Sequence, residues 1–452
     1  MPLRPRLALP LCFALSACAG GPTPTDPAAD ENSFLDGEQA AGKFDTGWVS
    51  SLDAAEVEMD IEGDVVADSW SLQRAPLEVG QFALTYLRQR HRVFIQSLAE
   101  DYAKGAEQIE WLVDGKWVAW SSLTAAQRAK VSHYRLRAVS AVVMKPGDPA
   151  KLVGKVYSPT VPKKPYSVWS EVKDGCGDKE GSIEPSQDVY WYIWNPDKAA
   201  CKVEKVAAKA TVTKVLPKGG TLYPEYDRLL ADKKVDALVI FGQVGHDHLD
   251  ETDYAFTLIK SFESVLAKAK FTKSPTAPIG RRWQRVRSGI TETVDIYSPF
   301  EFAGLGDYAH IQNFDDGVNN HEIIVYNGHS MLGASDFWAR PSIYKDPKKY
   351  QVFLYNGCLG YEYYVTPILA GKQGWENVDL VTNVMETPFA IMVQETANTL
   401  SMMFYGAERG GTTSWQSILT RMNDLSNANS TWGADGYYGA SGVRTNLFKP
   451  RR

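Results

Sequence analysis

Ile323-Ile324-Val325-Tyr326-Asn327-Gly328-His329 and Val352-Phe353-Leu354-Tyr355-Asn356-Gly357-Cys358 are two runs of the chain that end alike. Each is a continuous apolar, β-rich stretch, the pattern of a strand covered on both faces. Each closes on a glycine that permits a sharp turn and a close backbone approach. Between them, Met331 to Val352 is long enough for one short crossover helix around Ser335 to Tyr344. A crossover of that kind makes the strands parallel neighbours. His329 and Cys358 then emerge side by side at the carboxyl edge of the sheet, where open α/β sheets place their ligands.

Outward from this pair the same texture continues. Ala237-Leu238-Val239-Ile240-Phe241 reads as another strand covered on both faces. A helix capped by Asp250 or Thr252 follows it, with Leu258, Phe262, Val265 and Leu266 as its buried stripe. A weaker strand spans Thr293-Tyr297, and a last one contains Val378, Leu380 and Val381. Thr387 then stands as N-cap and Pro388 as first residue of a closing helix. Residues 219-425 therefore read as an α/β domain, a mainly parallel sheet flanked by helices, with 426-452 as a C-terminal tail.

Residues 46-218 have a mixed, β-rich texture and read as an accessory domain. Gln81-Val93 has helical spacing, whereas His133-Val143 and Val189-Trp194 read as strands. The aromatic run Tyr190-Trp191-Tyr192-Ile193-Trp194 suits a packing layer better than a sugar-stacking or protein-contact surface.

At the start, Arg4 and Arg6 precede an apolar stretch from Leu7 to Leu15 and then Leu15-Ser16-Ala17-Cys18. This pattern resembles the leader and lipobox of bacterial lipoproteins. The resemblance implies a signal peptide over 1-17, acylation of Cys18, and export to the cell envelope, with the outer membrane as the expected site. Residues 18-45, rich in Pro and Gly, read as a flexible linker. Without the two leader arginines, 46 basic residues face 54 acidic ones, a net charge of −8. No basic run suggests nucleic acid as a partner.

Of five cysteines, Cys12 leaves with the leader and Cys18 carries lipid. Cys176 and Cys201 suit a disulfide in an oxidising compartment, and Cys358 is left as an odd thiol. A thiol beside an imidazole has a chemical use, because the ring can accept the thiol proton and later deliver it to a leaving amine.

These stretches resemble the caspase-like cysteine peptidases, a group that includes caspases, legumains, clostripain, separase and the gingipains. In them a hydrophobic strand ends in a catalytic His and the next strand in a catalytic Cys. The likeness covers Val235 to Glu386 and lies nearest the gingipain and clostripain side, with Trp338 following the histidine strand. It implies a cysteine endopeptidase working through a Cys358/His329 dyad and a thioester acyl-enzyme. Backbone groups of Ser330, Gly357 and Cys358 would line the oxyanion site, with the Cys358 amide at the start of a helix through Tyr361-Leu369. Two residues depart from the pattern: Ser330 stands where glycine usually follows the His, and Gly357 where a small residue or Cys often precedes the nucleophile. Asp247 or Asp250 would favour a basic substrate side chain, and Asp336 and Glu386 are the carboxylates to test as orienting groups for His329. The expected partners are a protein or peptide substrate, and the membrane through the lipid on Cys18. The chemistry requires no cofactor, and a structural calcium is compatible with it.

Three rivals are weighed against this. Gly328-His329-Ser330-Met331 is similar to a serine-hydrolase elbow, but Leu332 stands where glycine is needed, and all seven histidines lie at or before position 329. His246-Asp247-His248 with Asp250 and Asp253 offers metal-ligand types without a conventional spacing, and acidic residues are expected where a helix opens. The third is a non-catalytic caspase-like surface lipoprotein that binds proteins or glycans.

Overall fold

A computed structural model describes residues 43–48, 54–97, 108–178, 190–216, 220–245, 248–330, 336–384, 387–429, 444–446 and 448–451. Strand β1 (Lys43–Trp48) begins inside the stretch read as linker. An antiparallel sheet follows, built from β2 (Ala54–Asp64), β3 (Val93–Ile95), β4 (Ile109–Val113), β5 (Lys116–Ala119), β6 (His133–Met144), β7 (Val156–Tyr157) and β10 (Lys209–Val215). Its order is β5-β4-β6-β2-β10-β7, with β3 pairing β6. A small side ribbon joins β8 (Thr160–Pro162) to β9 (Lys205–Ala207). The helix Ala75–His91 packs on this sheet. It starts earlier than the spacing from Gln81 suggests, because Pro76 suits a first turn, and it stops at Arg92 in a left-handed conformation.

The segment read as a strand at Val189-Trp194 is instead a 3₁₀ turn over Tyr190–Ile193. Four consecutive residues, Trp191 to Trp194, are buried, which the two-sided alternation of a half-exposed strand does not allow. Trp194 meets Phe82 edge to face at 5.2 Å and donates from Nε1 to the Thr160 carbonyl at 2.8 Å. The aromatic run is a packing layer.

The second sheet carries β11 (Lys234–Phe241), β12 (Thr272–Lys273), β13 (Arg281–Arg287), β14 (Ile290–Tyr297), β15 (Ile323–Asn327), β16 (Gln351–Asn356) and β17 (Val378–Val381) in the order β12-β13-β14-β11-β15-β16-β17. The run from β14 to β17 is parallel, and only the β12 and β13 edge is antiparallel. This is an α/β architecture with one mostly parallel sheet. Alternation sorts the apolar runs between two cores: Val239, Val325 and Leu354 face helices Tyr254–Lys268, Phe389–Glu408 and Trp415–Asn429, while Ile240, Tyr326 and Tyr355 face the other side. That second core is continuous with the N-terminal sheet.

Several local expectations shift. The helix after β11 is capped by Asp253, not Asp250 or Thr252, and Pro388 rather than Thr387 precedes the helix Phe389–Glu408. The crossover between β15 and β16 contains the short helix Asp336–Ala339 and the turn Pro341–Ile343 in place of one helix. The stretch read as tail holds the end of helix Trp415–Asn429 and β18 (Arg444–Asn446), which pairs with β1.

Candidate functional site

The two quoted runs are adjacent parallel strands, and their register pairs Tyr326 with Tyr355 and Asn327 with Asn356. His329 and Cys358 follow those paired asparagines at the same interval. They therefore leave the sheet level with each other at its carboxyl edge. The tyrosines beneath them stack at 5.2 Å between ring centroids, and Tyr364 stacks on Tyr355 at 4.5 Å. Burial pushes the Tyr326 and Tyr355 phenols above their usual range, so both hydroxyls stay protonated. The Tyr326 hydroxyl donates to the His329 carbonyl at 2.8 Å. On the opposite face of the sheet, Asn356 Nδ2 donates to Asn327 Oδ1 at 3.0 Å, and Thr396 Oγ1 donates to that same oxygen at 3.0 Å.

His329 is half-buried, and its ring meets Phe389 edge to face at 4.9 Å. Its Nε2 lies 3.0 Å from the Val244 carbonyl, just beyond β11. A carbonyl only accepts, so this contact puts the proton on Nε2 and makes Nδ1 the basic nitrogen of the neutral ring. The group met by Nε2 is thus a backbone oxygen. Side-chain carboxylates are the natural candidates in a sequence, whereas a carbonyl leaves no residue-type signal.

Cys358 is buried and disulfide-bonded, not the odd thiol of the sequence reading. Around Cys358 the backbone is held tightly. Ser330 is buried and its hydroxyl donates to the Cys358 carbonyl at 2.6 Å and lies 2.8 Å from the Tyr355 hydroxyl. A side chain at Gly357 would come within 2.5 Å of the Tyr355 ring and 2.7 Å of Ser330 Oγ. Leu359 adopts a left-handed φ of 51°. The helix begins only at Gly360 and is four residues long, with a second helix at Val365–Lys372. Asn383 takes the first amides, Gly360 N–H on Oδ1 at 3.0 Å and Tyr361 N–H on its carbonyl at 2.9 Å. The Cys358 amide therefore does not open a helix as the sequence suggested, because the left-handed residue intervenes.

No protein-family model and no curated protein sequence matches this chain.

The remaining candidates are dispersed. Asp250 is exposed, and its carboxyl is held below the usual range by hydrogen bonds from the Thr252 hydroxyl and amide. Asp247, Glu386 and Cys18 lie outside the described residues, as does the side chain of Asp336. Cys176 and Cys201 form a disulfide. Among the described residues no group of three or more His, Cys, Asp or Glu is disposed to hold a metal, and His246 lies outside them. Among the same residues no helix is long and apolar enough to cross a membrane.

The N-terminal half reaches the helix that follows Cys358. Arg88 Nη1 meets the buried Glu362 carboxylate at 3.0 Å, and the Ser97 amide donates to the Glu362 carbonyl at 2.8 Å. Sequence spacing gives no sign of this contact, whose partners lie 274 residues apart.

Proposed function

We propose that the chain is a caspase-like cysteine endopeptidase, or a close amide-bond hydrolase, acting outside the cytoplasm. The observation that carries the reading is the register of β15 and β16, which brings His329 and Cys358 out level at one sheet edge. The Val244 carbonyl at Nε2 supports it, since it presents Nδ1 as the base.

Turnover in this reading begins with reduction of the Cys358 disulfide by a thiol reductant, which gives two electrons and two protons to the two sulfurs. His329 Nδ1 then takes the Sγ proton as the thiolate attacks the scissile carbonyl and a C–S bond forms. Backbone N–H groups of Ser330 and Cys358 are the assigned donors to the oxyanion. The imidazolium protonates the leaving amine as the C–N bond breaks, leaving a thioester. Water, deprotonated by His329, hydrolyses it and restores the thiol.

One observation favours the non-catalytic surface module: Cys358 is only 3% exposed as well as disulfide-bonded. Incubation of the purified chain with a peptide library, with and without dithiothreitol, separates the two readings. The peptidase reading expects cleavage that needs the reductant and disappears in Cys358→Ala. Cleavage by Cys358→Ala would point to another active site, and none by the reduced wild type would favour the binding module.

A further inference from the structure

The start of the loop that meets His329, Gly242 to Gly245, is hydrogen-bonded at each amide. Gly242 N–H donates to the Asn327 carbonyl at 2.8 Å, and Gln243 N–H to the Ala303 carbonyl at 2.7 Å. The next two amides both go to one side chain: Val244 N–H donates to Asp253 Oδ1 at 3.1 Å and Gly245 N–H to Oδ2 at 2.7 Å. Asp253 Oδ1 also accepts from the Ala255 N–H at 2.8 Å, where it caps the helix Tyr254–Lys268. Capping alone uses one carboxylate oxygen and one or two amides of the helix itself. Here both oxygens are engaged by the turn that carries the Val244 carbonyl.

We propose that Asp253 is the positioning residue of the dyad, acting through the Val244–Gly245 turn to hold the Val244 carbonyl against His329 Nε2. This rests on the peptidase reading for its catalytic consequence, but the placement of the imidazole is a separate fact to measure. The carboxylate serves two ends of one connection. Its anchor at the helix start is rigid, and the turn it grips inherits that rigidity. With the turn fixed, the carbonyl selects one tautomer and one ring orientation. With the turn loose, the ring samples both tautomers and both edges, and positioning is lost where small displacements weigh heavily on rate.

Two variants separate clamp from cap. Asp253→Asn keeps an acceptor oxygen for Ala255 and Val244 but turns a donor toward the Gly245 amide. Asp253→Ala removes both functions. Thr252→Val serves as a control, since Thr252 bonds Asp250 and not the turn. In the ¹⁵N-labelled full-length protein, long-range imidazole correlations for His329 are expected to show a single Nε2–H form in wild type and in Thr252→Val, and a mixture in Asp253→Asn. On the reduced protein, kcat is expected to fall about 10-fold in Asp253→Asn and about 100-fold in Asp253→Ala with KM little changed. An unchanged tautomer in folded Asp253→Asn would overturn the proposal, whether or not kcat fell. If no form cleaves peptide, wild type included, the peptidase reading fails, while the imidazole spectra still decide the role of Asp253.

Discussion

At the scale of single residues, the site is held by groups whose targets are backbone atoms. Tyr326 and Tyr355 stand three positions before His329 and Cys358, and that repeated spacing is legible in the sequence. Their function is not, because the Tyr326 hydroxyl serves a carbonyl and an amide: it donates to His329 O and accepts from Leu305 N–H at 3.3 Å. Tyr326→Phe strands the Leu305 amide in a buried place, and a loss of about 1–3 kcal/mol in urea unfolding is expected. Gly357 is constrained by packing, since its missing side chain is the space occupied by Tyr355 and Ser330. Gly357→Ala is expected to lower stability by roughly 1–3 kcal/mol in the same measurement. It should also change the alkylation rate of Cys358 after reduction, because the shifted loop carries the sulfur. An alanine variant with wild-type stability and labelling would show that the loop accommodates a methyl group without strain.

At the scale of elements, the strands found by reading were the apolar ones. β11, β15, β16 and β17 are covered on both faces, so their sequences are nearly continuous runs of Val, Ile, Leu and aromatic residues. β13 was missed because Arg-Arg-Trp-Gln-Arg-Val-Arg has no such run. Its arginines pair across the strand with acids on β14: Arg282 grips Asp295 through two contacts at 2.7 and 2.6 Å, and Arg285 meets Glu292. A charge pattern of this kind looks like a solvated face until its partner strand is known. The Cys176–Cys201 disulfide was legible from spacing and an expected oxidising compartment, and it closes a loop of 25 residues. The double variant Cys176→Ser with Cys201→Ser is expected to lose about 3.5 kcal/mol by chain-entropy reasoning. Thermal unfolding under oxidising conditions measures this, and an unchanged transition would mean that the segment is pinned by the packing of Trp191 and Trp194 alone.

At the scale of the whole molecule, the same ion pairs set how stability answers to pH. Arg285 is shared by Glu292 and by Glu408, the last residue of helix Phe389–Glu408, at 3.0 Å from the latter, so the edge hairpin is tied to that helix. Glu292 is fully buried, and burial pushes its carboxyl up from 4.5 to about 7; Arg285 opposes this and Glu408 adds to it. A raised carboxyl means that the native state holds the proton more firmly than the unfolded chain. Its contribution is complete below about pH 4.5 and is lost as pH rises through about 7. Asp295 has the opposite sign. Burial pushes it up, but hydrogen bonds from Arg282 and His321 outweigh that and hold it below 3.8, so its contribution is present above that value and lost in acid. The two together confine the best stability to a window between them. Melting temperature is therefore expected to fall on the acid side below about pH 4 and again between pH 5 and 8. In Glu292→Gln the second fall should shrink, leaving the variant closer to wild type, or above it, at pH 8 than at pH 5. Parallel pH profiles for the two proteins would mean that Glu292 keeps its charge across the range and that Arg285 outweighs burial at the centre of the cluster.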